Sequence, residues 1–313
     1  MPDGPAQTEP VHTGPVHTGP VHTGPVQTGV LTTNPTPTGS VPERRGPTGP
    51  VAFVTGAGRG IGAAVARQLA AAGWRVAAVD VCRDDPALGY PLASSDELLA
   101  VVTACGTDAG GVERALAIEA DVRDQAALDA AVARTTSHFG RLDAVVAAAG
   151  AVAGGDDSWH TPDGIWQAML EINLSGVWRT ARAAVPALLA QPVPRHGRFV
   201  ALASAGSTVG LARLAAYSAA KHGVLGLVRS LAGELAGTGV TANAVAPGTT
   251  DTAMGRASAA VYGLDPEDLV VHHLDRRLLQ PDEVAALVCW VCSPASSGVT
   301  GALLPVDAGM TAH

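Results

Sequence analysis

Ser204, Tyr217 and Lys221 are the residues whose types and spacing promise chemistry. Tyr217-Ser218-Ala219-Ala220-Lys221 lies in an Ala-rich stretch that predicts a helix over 215–236, so the phenol and the ammonium share a face one turn apart. A phenol with a pKa of about 10 is a poor acid–base catalyst near neutral pH. A nearby ammonium favours the phenolate and draws that pKa toward the working range. Ser204, thirteen residues earlier, adds a hydroxyl that could hold a carbonyl or alcohol oxygen beside the tyrosine. Taken alone, the Tyr–Lys pair reads as a surface tyrosine with an ordinary lysine at i+4; the company it keeps argues otherwise.

That company is a second constellation. Thr55-Gly56-Ala57-Gly58-Arg59-Gly60-Ile61-Gly62 follows an apolar strand directly and opens a helix. Glycines there let the backbone turn sharply and approach a pyrophosphate at a helix N-terminus, where free N–H groups and the helix dipole favour negative charge. Asp80 ends the next strand, 24 residues after Gly56, where a carboxylate would accept hydrogen bonds from a ribose diol. The same carboxylate repels a 2′-phosphate, so NAD is expected over NADP. Arg59 is a counter-signal, since a guanidinium in the turn could pair with that phosphate. Asp121-Val122 closes a third strand and Ala147-Ala148-Ala149-Gly150 a fourth, and both ends are expected to face the same crevice. Asp121 also reads as an N-cap for a helix over 124–138.

The elements that must position these residues alternate. Val51–Thr55, Arg75–Asp80, Ala115–Asp121, Leu142–Ala147, Arg198–Ser204 and Val240–Ala246 read as short apolar strands, with helical stretches at 60–72, 124–138, 163–190 and 215–236. Thr161-Pro162 offers the third helix an N-cap and a proline in its first turn. Near-continuous apolar strands alternating with helices mean a parallel sheet covered on both faces. The expected class is a doubly wound α/β sheet, a Rossmann fold, forming a single domain over 51–313. Residues 1–50 are foreign to it. Val-His-Thr-Gly-Pro repeats at 11–15, 16–20 and 21–25, and proline every fifth residue prevents helix or sheet from propagating, so a disordered tail is expected. His12, His17 and His22 invite a metal reading, but solvated imidazoles on a repeat suffice.

With these residues in place, 51–309 resembles the short-chain dehydrogenase/reductase family along essentially the whole expected domain. Gly56, Gly60 and Gly62 match its glycine motif, and Ser204, Tyr217 and Lys221 its catalytic triad. The resemblance implies that Asn173 completes a catalytic tetrad and holds a water that passes the proton to solvent. It implies that Lys221 binds the nicotinamide ribose, and that Pro247-Gly248-Thr249-Thr250-Asp251-Thr252 borders the nicotinamide. It also implies a homotetramer. One departure is visible: the family's Asn-Asn-Ala-Gly after the fourth strand reads Ala147-Ala148-Ala149-Gly150.

Forty residues separate Asp80 from Asp121, where two short loops and an average helix need roughly 15 to 25. The excess resembles the insertion of the mycofactocin-coupled short-chain dehydrogenases, which implies an NAD held so firmly that it is reoxidised in place by the redox peptide mycofactocin. Tyr90 and Leu92 are expected to cover the adenine side of the crevice, and Ser94-Ser95-Asp96-Glu97 reads as a capping box. Cys289 and Cys292 read as buried packing in a helix beginning at Pro281, His272 and His273 as solvated loop histidines, and Trp159, Trp166 and Trp178 as core or subunit interface.

Composition narrows the partners. The chain is 47% hydrophobic but 4% aromatic and 15% charged, with a formal net charge of −8. An acidic chain with scattered basic residues argues against nucleic acid or an anionic membrane surface. The expectation is a cytoplasmic enzyme without a secretory signal or membrane span, acting on a small-molecule alcohol or carbonyl. An ordinary family member exchanging free NAD(P), a non-catalytic NAD sensor and a nucleotide-sugar epimerase are the alternatives; the intact tetrad argues against the second, and the short stretch after Pro247 against the third.

Overall fold

The computed structural model describes residues 49–312, so the expected tail, Gly49 and Pro50 apart, lies outside the described residues. Seven parallel strands form one sheet: β1 (Val51–Thr55), β2 (Arg75–Asp80), β3 (Ala115–Glu119), β4 (Ala144–Ala147), β5 (Arg198–Leu202), β6 (Thr241–Pro247) and β7 (Leu303–Val306), in the order β3-β2-β1-β4-β5-β6-β7. All six pairings are parallel. The helices are α1 (Gly60–Ala71), α2 (Ser95–Cys105), α3 (Gln125–Phe139), α4 (Asp163–Leu170), α5 (Gly176–Leu189), α6 (Ala215–Glu234), α7 (Ala253–Ala260) and α8 (Pro281–Cys292).

Alternation along β1 divides the interior in two. Val51 and Phe53 point to a core shared with Leu128 and Val132 of α3, Ala181 and Leu188 of α5, and Val224 and Val228 of α6. Ala52 and Val54 point to the opposite core, made with α1, α2 and α8. The α1 face is mostly alanine, and small side chains let the helix lie close over the sheet. The order of strands reverses between β1 and β4, the place where a doubly wound sheet opens a crevice beyond the strands' carboxyl ends.

Several expected boundaries move. β3 stops at Glu119 and β5 at Leu202, so Asp121 and Ser204 stand on the loops beyond, free to face the crevice. β4 starts at Ala144, β6 runs Thr241–Pro247, and β7 was not read at all, its four residues including a proline. The helix expected over 163–190 is three pieces, with a π-helical turn over Glu171–Ser175 between α4 and α5. Thr161 does not cap α4; Pro162 takes the cap position and no side chain bonds the first turn. Asp121 does not cap α3 either: Asp124 does, accepting the Ala127 N–H. The Ser94–Glu97 capping box is formed in both directions at the start of α2.

The tightest packing of the glycine turn is at Gly62, where a Cβ would lie 2.0 Å from the Gly56 carbonyl oxygen. Backbone cannot yield as a side-chain end can. Gly62→Ala is therefore expected to cost at least the 1–3 kcal/mol typical of overpacking, lowering the melting temperature by several degrees; an unchanged melting curve would show that the turn has room to spare.

Candidate active site

A cleft of about 250 Å³ opens at the carboxyl ends of β1 and β4. The structure brings to its walls Gly56, Arg59, Gly60, Ile61, Gly62, Asp80, Asp121, Val122, Ala148, Gly150, Ser204, Tyr217, Lys221, Pro247, Gly248, Thr250 and Thr252. Asn173 stands behind the wall, fully buried.

At one end the N-terminus of α1 faces the cleft with no side chain capping it, which leaves its first N–H groups for an anion. Gly56 adopts φ +67° and would press a Cβ to 2.7 Å from Ala149 backbone atoms, so glycine is required for strands β1 and β4 to close at this point. Asp80 accepts the Gly58 N–H on Oδ2 and the Val81 N–H on Oδ1, both at 2.8 Å. Each carboxylate oxygen keeps a lone pair for a ribose hydroxyl. Burial raises its pKa, against the pull of these backbone N–H groups and of Arg59. Arg59 turns away from the glycine turn and donates to the Pro91 carbonyl.

The insertion is a strap over this end. Asp121 lines the cleft as expected, and its carboxylate also takes the Arg123 N–H and guanidinium and the Arg83 guanidinium. Arg123 goes on to Asp85 at 2.5 Å, so an ion network ties the strap to the end of β3. Leu92 N–H bonds Asp84 at 2.7 Å. Tyr90 travels furthest: its hydroxyl accepts the Val152 N–H at 3.1 Å, well past the adenine side expected for it.

At the other end Tyr217 and Lys221 sit one turn apart on α6, both buried. Lys221 Nζ donates to the Leu202 carbonyl at 2.7 Å and lies 5.8 Å from the centre of the Tyr217 ring. Burial pushes Tyr217 up, with Ser204 opposing the shift, and pulls Lys221 down to about 8. The expected lowering of the phenol by the ammonium is thus outweighed here by desolvation, because the ammonium is aimed at a carbonyl rather than at the hydroxyl. Asn173, on the wide π-helical turn, accepts the Ala151 N–H at 3.1 Å and donates to the Ala151 and Met169 carbonyls at 2.9 and 3.1 Å. That leaves one lone pair of its carboxamide for a water.

Other expectations are corrected. His273 is not solvated: it is 1% exposed, its Nε2 accepts the Thr249 N–H at 3.1 Å and its Nδ1 donates to the Arg277 carbonyl at 2.7 Å, so it holds the loop 247–250. Trp159, Trp166 and Trp178 are exposed and not core. Cys292 is buried but Cys289 only partly so. The Arg123–Asp85 pair and the bond from the Thr249 N–H to His273 carried no sequence signal, because each joins segments far apart in the chain.

A family model described as enoyl-(acyl carrier protein) reductase matches residues 56–311. The (−)-trans-carveol dehydrogenase of Rhodococcus erythropolis is 40% identical over 275 residues, 84% of this chain and 98% of the relative. The cis-4-hydroxycyclohexanecarboxylate dehydrogenase of Sinomonas cyclohexanicum is 38% identical over 267 residues, 84% and 96% of the two chains. The crystal structure of carveol dehydrogenase from Mycobacterium avium in complex with NAD matches with a TM-score of 0.79 at 33% identity, covering 86% of this chain and 100% of that one. The chain belongs to the short-chain dehydrogenase/reductase family.

The depressed Lys221 has a measurable sign. Its value of about 8 in the folded chain, against 10.5 ordinarily, means that between those pH values the unfolded chain binds more protons, so stability rises with pH. Compared with Lys221→Met in urea melts, the wild type should gain up to roughly 3 kcal/mol as pH climbs from below 8 to above 10.5. A pH-independent difference would show that Lys221 is not desolvated.

Proposed function

We propose that this protein is an NAD-dependent oxidoreductase that interconverts an alcohol and a carbonyl, using the tetrad Asn173, Ser204, Tyr217 and Lys221. The observation that carries this reading is one cleft holding both the uncapped α1 turn with Asp80 and the buried Tyr217–Lys221–Ser204 group. The residues fit a nicotinamide dinucleotide: the glycines admit close backbone approach, and Asp80 has lone pairs for a ribose diol while repelling a 2′-phosphate. When bound, the nicotinamide supplies the hydride acceptor or donor. Tyr217 takes the proton of the alcohol during oxidation and returns it to the carbonyl oxygen in reduction. Ser204 holds that oxygen beside the phenol. Lys221, drawn down to about 8 by burial, would hold the nicotinamide ribose with the hydrogens it does not give to the Leu202 carbonyl. Asn173 clamps the backbone at Ala151 and offers its remaining lone pair to a relaying water.

Tyr217→Phe removes the acid–base group and keeps the ring, so turnover should fall by about 10²–10⁴ while binding of the dinucleotide, followed by protein fluorescence, survives. Wild-type turnover in that variant would refute the assignment.

The strap supports a second part of the proposal, that the dinucleotide stays bound and is reoxidised in place by mycofactocin. Bonds from Arg59, Val152 and Arg123 to the strap hold it across the cleft, and covering more of a ligand acts mainly on its off-rate. The purified protein should carry NAD through dialysis and turn over with an artificial electron acceptor, and poorly with free NAD. Purifying empty and cycling freely on added NAD would leave an ordinary exchanging dehydrogenase. The family resemblance supports a homotetramer with 51–313 as its catalytic unit, which sedimentation would check. The four cysteines are free thiols, which suits a reducing cytoplasm; no helix among the described residues is long and apolar enough to cross a membrane.

A further inference from the structure

The strap leaves β2 beside the glycine turn, yet Tyr90 arrives at the reacting end of the cleft. It packs against the apolar cluster that holds Val152, Ile172 and Tyr217, with Leu211 and Met254 at the edge of the same cluster. Its position is set from both sides. The Val152 N–H is donated to its hydroxyl, and its neighbours Leu88 and Pro91 are held by burial in that cluster and by the Arg59 guanidinium. Leu92 N–H, bonded to Asp84, closes the loop on itself.

Charge is distributed unevenly over the lining. The charged side chains there are Arg59, Asp80, Asp85, Asp121, Arg123 and Lys221. Asp85 and Asp121 are paired with Arg123 and Arg83 in the network at the strap's base. Asp80 is tied to the glycine turn through the Gly58 N–H, Arg59 is held by the Pro91 carbonyl, and Lys221 gives one hydrogen to the Leu202 carbonyl and keeps the others for the nicotinamide ribose in the reading above. The cluster that Tyr90 joins is aliphatic, aromatic and thioether carbon, and the cations nearest it, Arg59 and Lys221, are already held by the Pro91 and Leu202 carbonyls. A carboxylate placed against it would be desolvated without a partner.

We infer that Tyr90 is a specificity-determining residue of the alcohol site: the strap delivers its ring across the cleft to close the apolar wall on which the substrate's carbon skeleton packs, and the site takes a neutral, hydrophobic alcohol or its ketone. The inference rests on the alcohol–carbonyl reading above. It gives the insertion a second task, distinct from covering the dinucleotide, and it predicts that selectivity among alcohols and retention of NAD can be changed separately.

The test uses the full chain loaded with NAD and an artificial electron acceptor, and compares kcat/KM among cyclohexanol, 4-methylcyclohexanol, cis-4-hydroxycyclohexanecarboxylate and the bulkier bicyclic alcohol borneol. A missing or added methylene in an apolar pocket shifts such ratios by about 10–200-fold. Tyr90→Ala should therefore raise the ratio of borneol to cyclohexanol by about tenfold or more, and Tyr90→Phe, which keeps the ring, should hold it within about threefold of the wild type. Tyr90→Leu provides an intermediate wall and an intermediate ratio should the alanine variant fold poorly. In the wild type, the carboxylate should be at least about tenfold poorer than 4-methylcyclohexanol of matching shape. Unchanged ratios in both the Ala and Leu variants, all alcohols falling together, would overturn the role of Tyr90, and equal use of the carboxylate would overturn the neutral-substrate assignment. A wild type that binds reduced dinucleotide by fluorescence but oxidises no alcohol would instead sink the underlying reading.

Discussion

The carboxamide of Asn173 closes on Ala151 from both sides, taking its N–H on Oδ1 and giving Nδ2 to its carbonyl. Few side chains bond both polar groups of a single peptide residue, and here the consequence is positional. Gly150 is held so near that a Cβ on it would stand 3.0 Å from Asn173 Oδ1 and 3.6 Å from Lys221 Nζ. Val152, one residue past the clamp, presents its N–H to Tyr90. The Asn173 clamp thus sets the distance between β4, α6 and the strap at once. Asn173 stands on the π-helical turn, and its second amide hydrogen goes to the Met169 carbonyl four residues back. The alanines that replace the family's amides after β4 do not leave this segment adrift, since Thr55 Oγ1 also accepts the Ala149 N–H.

Charge follows a similar economy. Each ionised group along the cleft has a partner that fixes its direction, except at the places where a ligand's own groups would supply it: the N–H groups of α1 and the second lone pairs of Asp80. At the reacting end, burial opposes ionisation of both Lys221 and Tyr217, the lysine pulled down and the tyrosine pushed up. Opposite displacements bring both toward neutral species in the free chain. A site in that condition is poised, because any bound group that stabilises phenolate or ammonium acts on them without competition from water.

Much of this was legible in the residues. Apolar runs such as Val51–Thr55 and Arg75–Asp80 coincide with strands because a parallel sheet buried on both faces leaves no room for alternation. The glycine turn was legible because the constraint is local: Gly62 must pass a carbonyl six residues away. Where reasoning from sequence slipped, the partner was distant. Helix periodicity runs unbroken from 163 to 190, and nothing in it marks the π-helical turn, which exists because Asn173 must reach Ala151. Asp121 has the look of an N-cap, but Arg123 two residues on and Arg83 from the strap claim it, and Asp124 takes the cap. His273 sits in a polar, turn-rich segment and became buried only because the loop after β6 folds over it. Of the two readings of Trp159, Trp166 and Trp178, the core one fails, since all three are exposed; Arg182 lies over the Trp178 ring.

The strap differs from everything else in the fold in how it is held. The sheet and its two cores are fixed by continuous apolar packing, whereas residues 82–93 are held by a small apolar cluster around Leu88 and Tyr90 and by a few bonds to partners far along the chain, Val152 among them, 62 residues from Tyr90. Such a segment is a cooperative unit of its own, able to open while the seven strands remain intact. It must also assemble last, since its anchor on β4's loop exists only after β1 and β4 have paired. Passage of a molecule beneath it is therefore a local unfolding event with its own free energy, set by a dozen surface residues and independent of the stability of the domain.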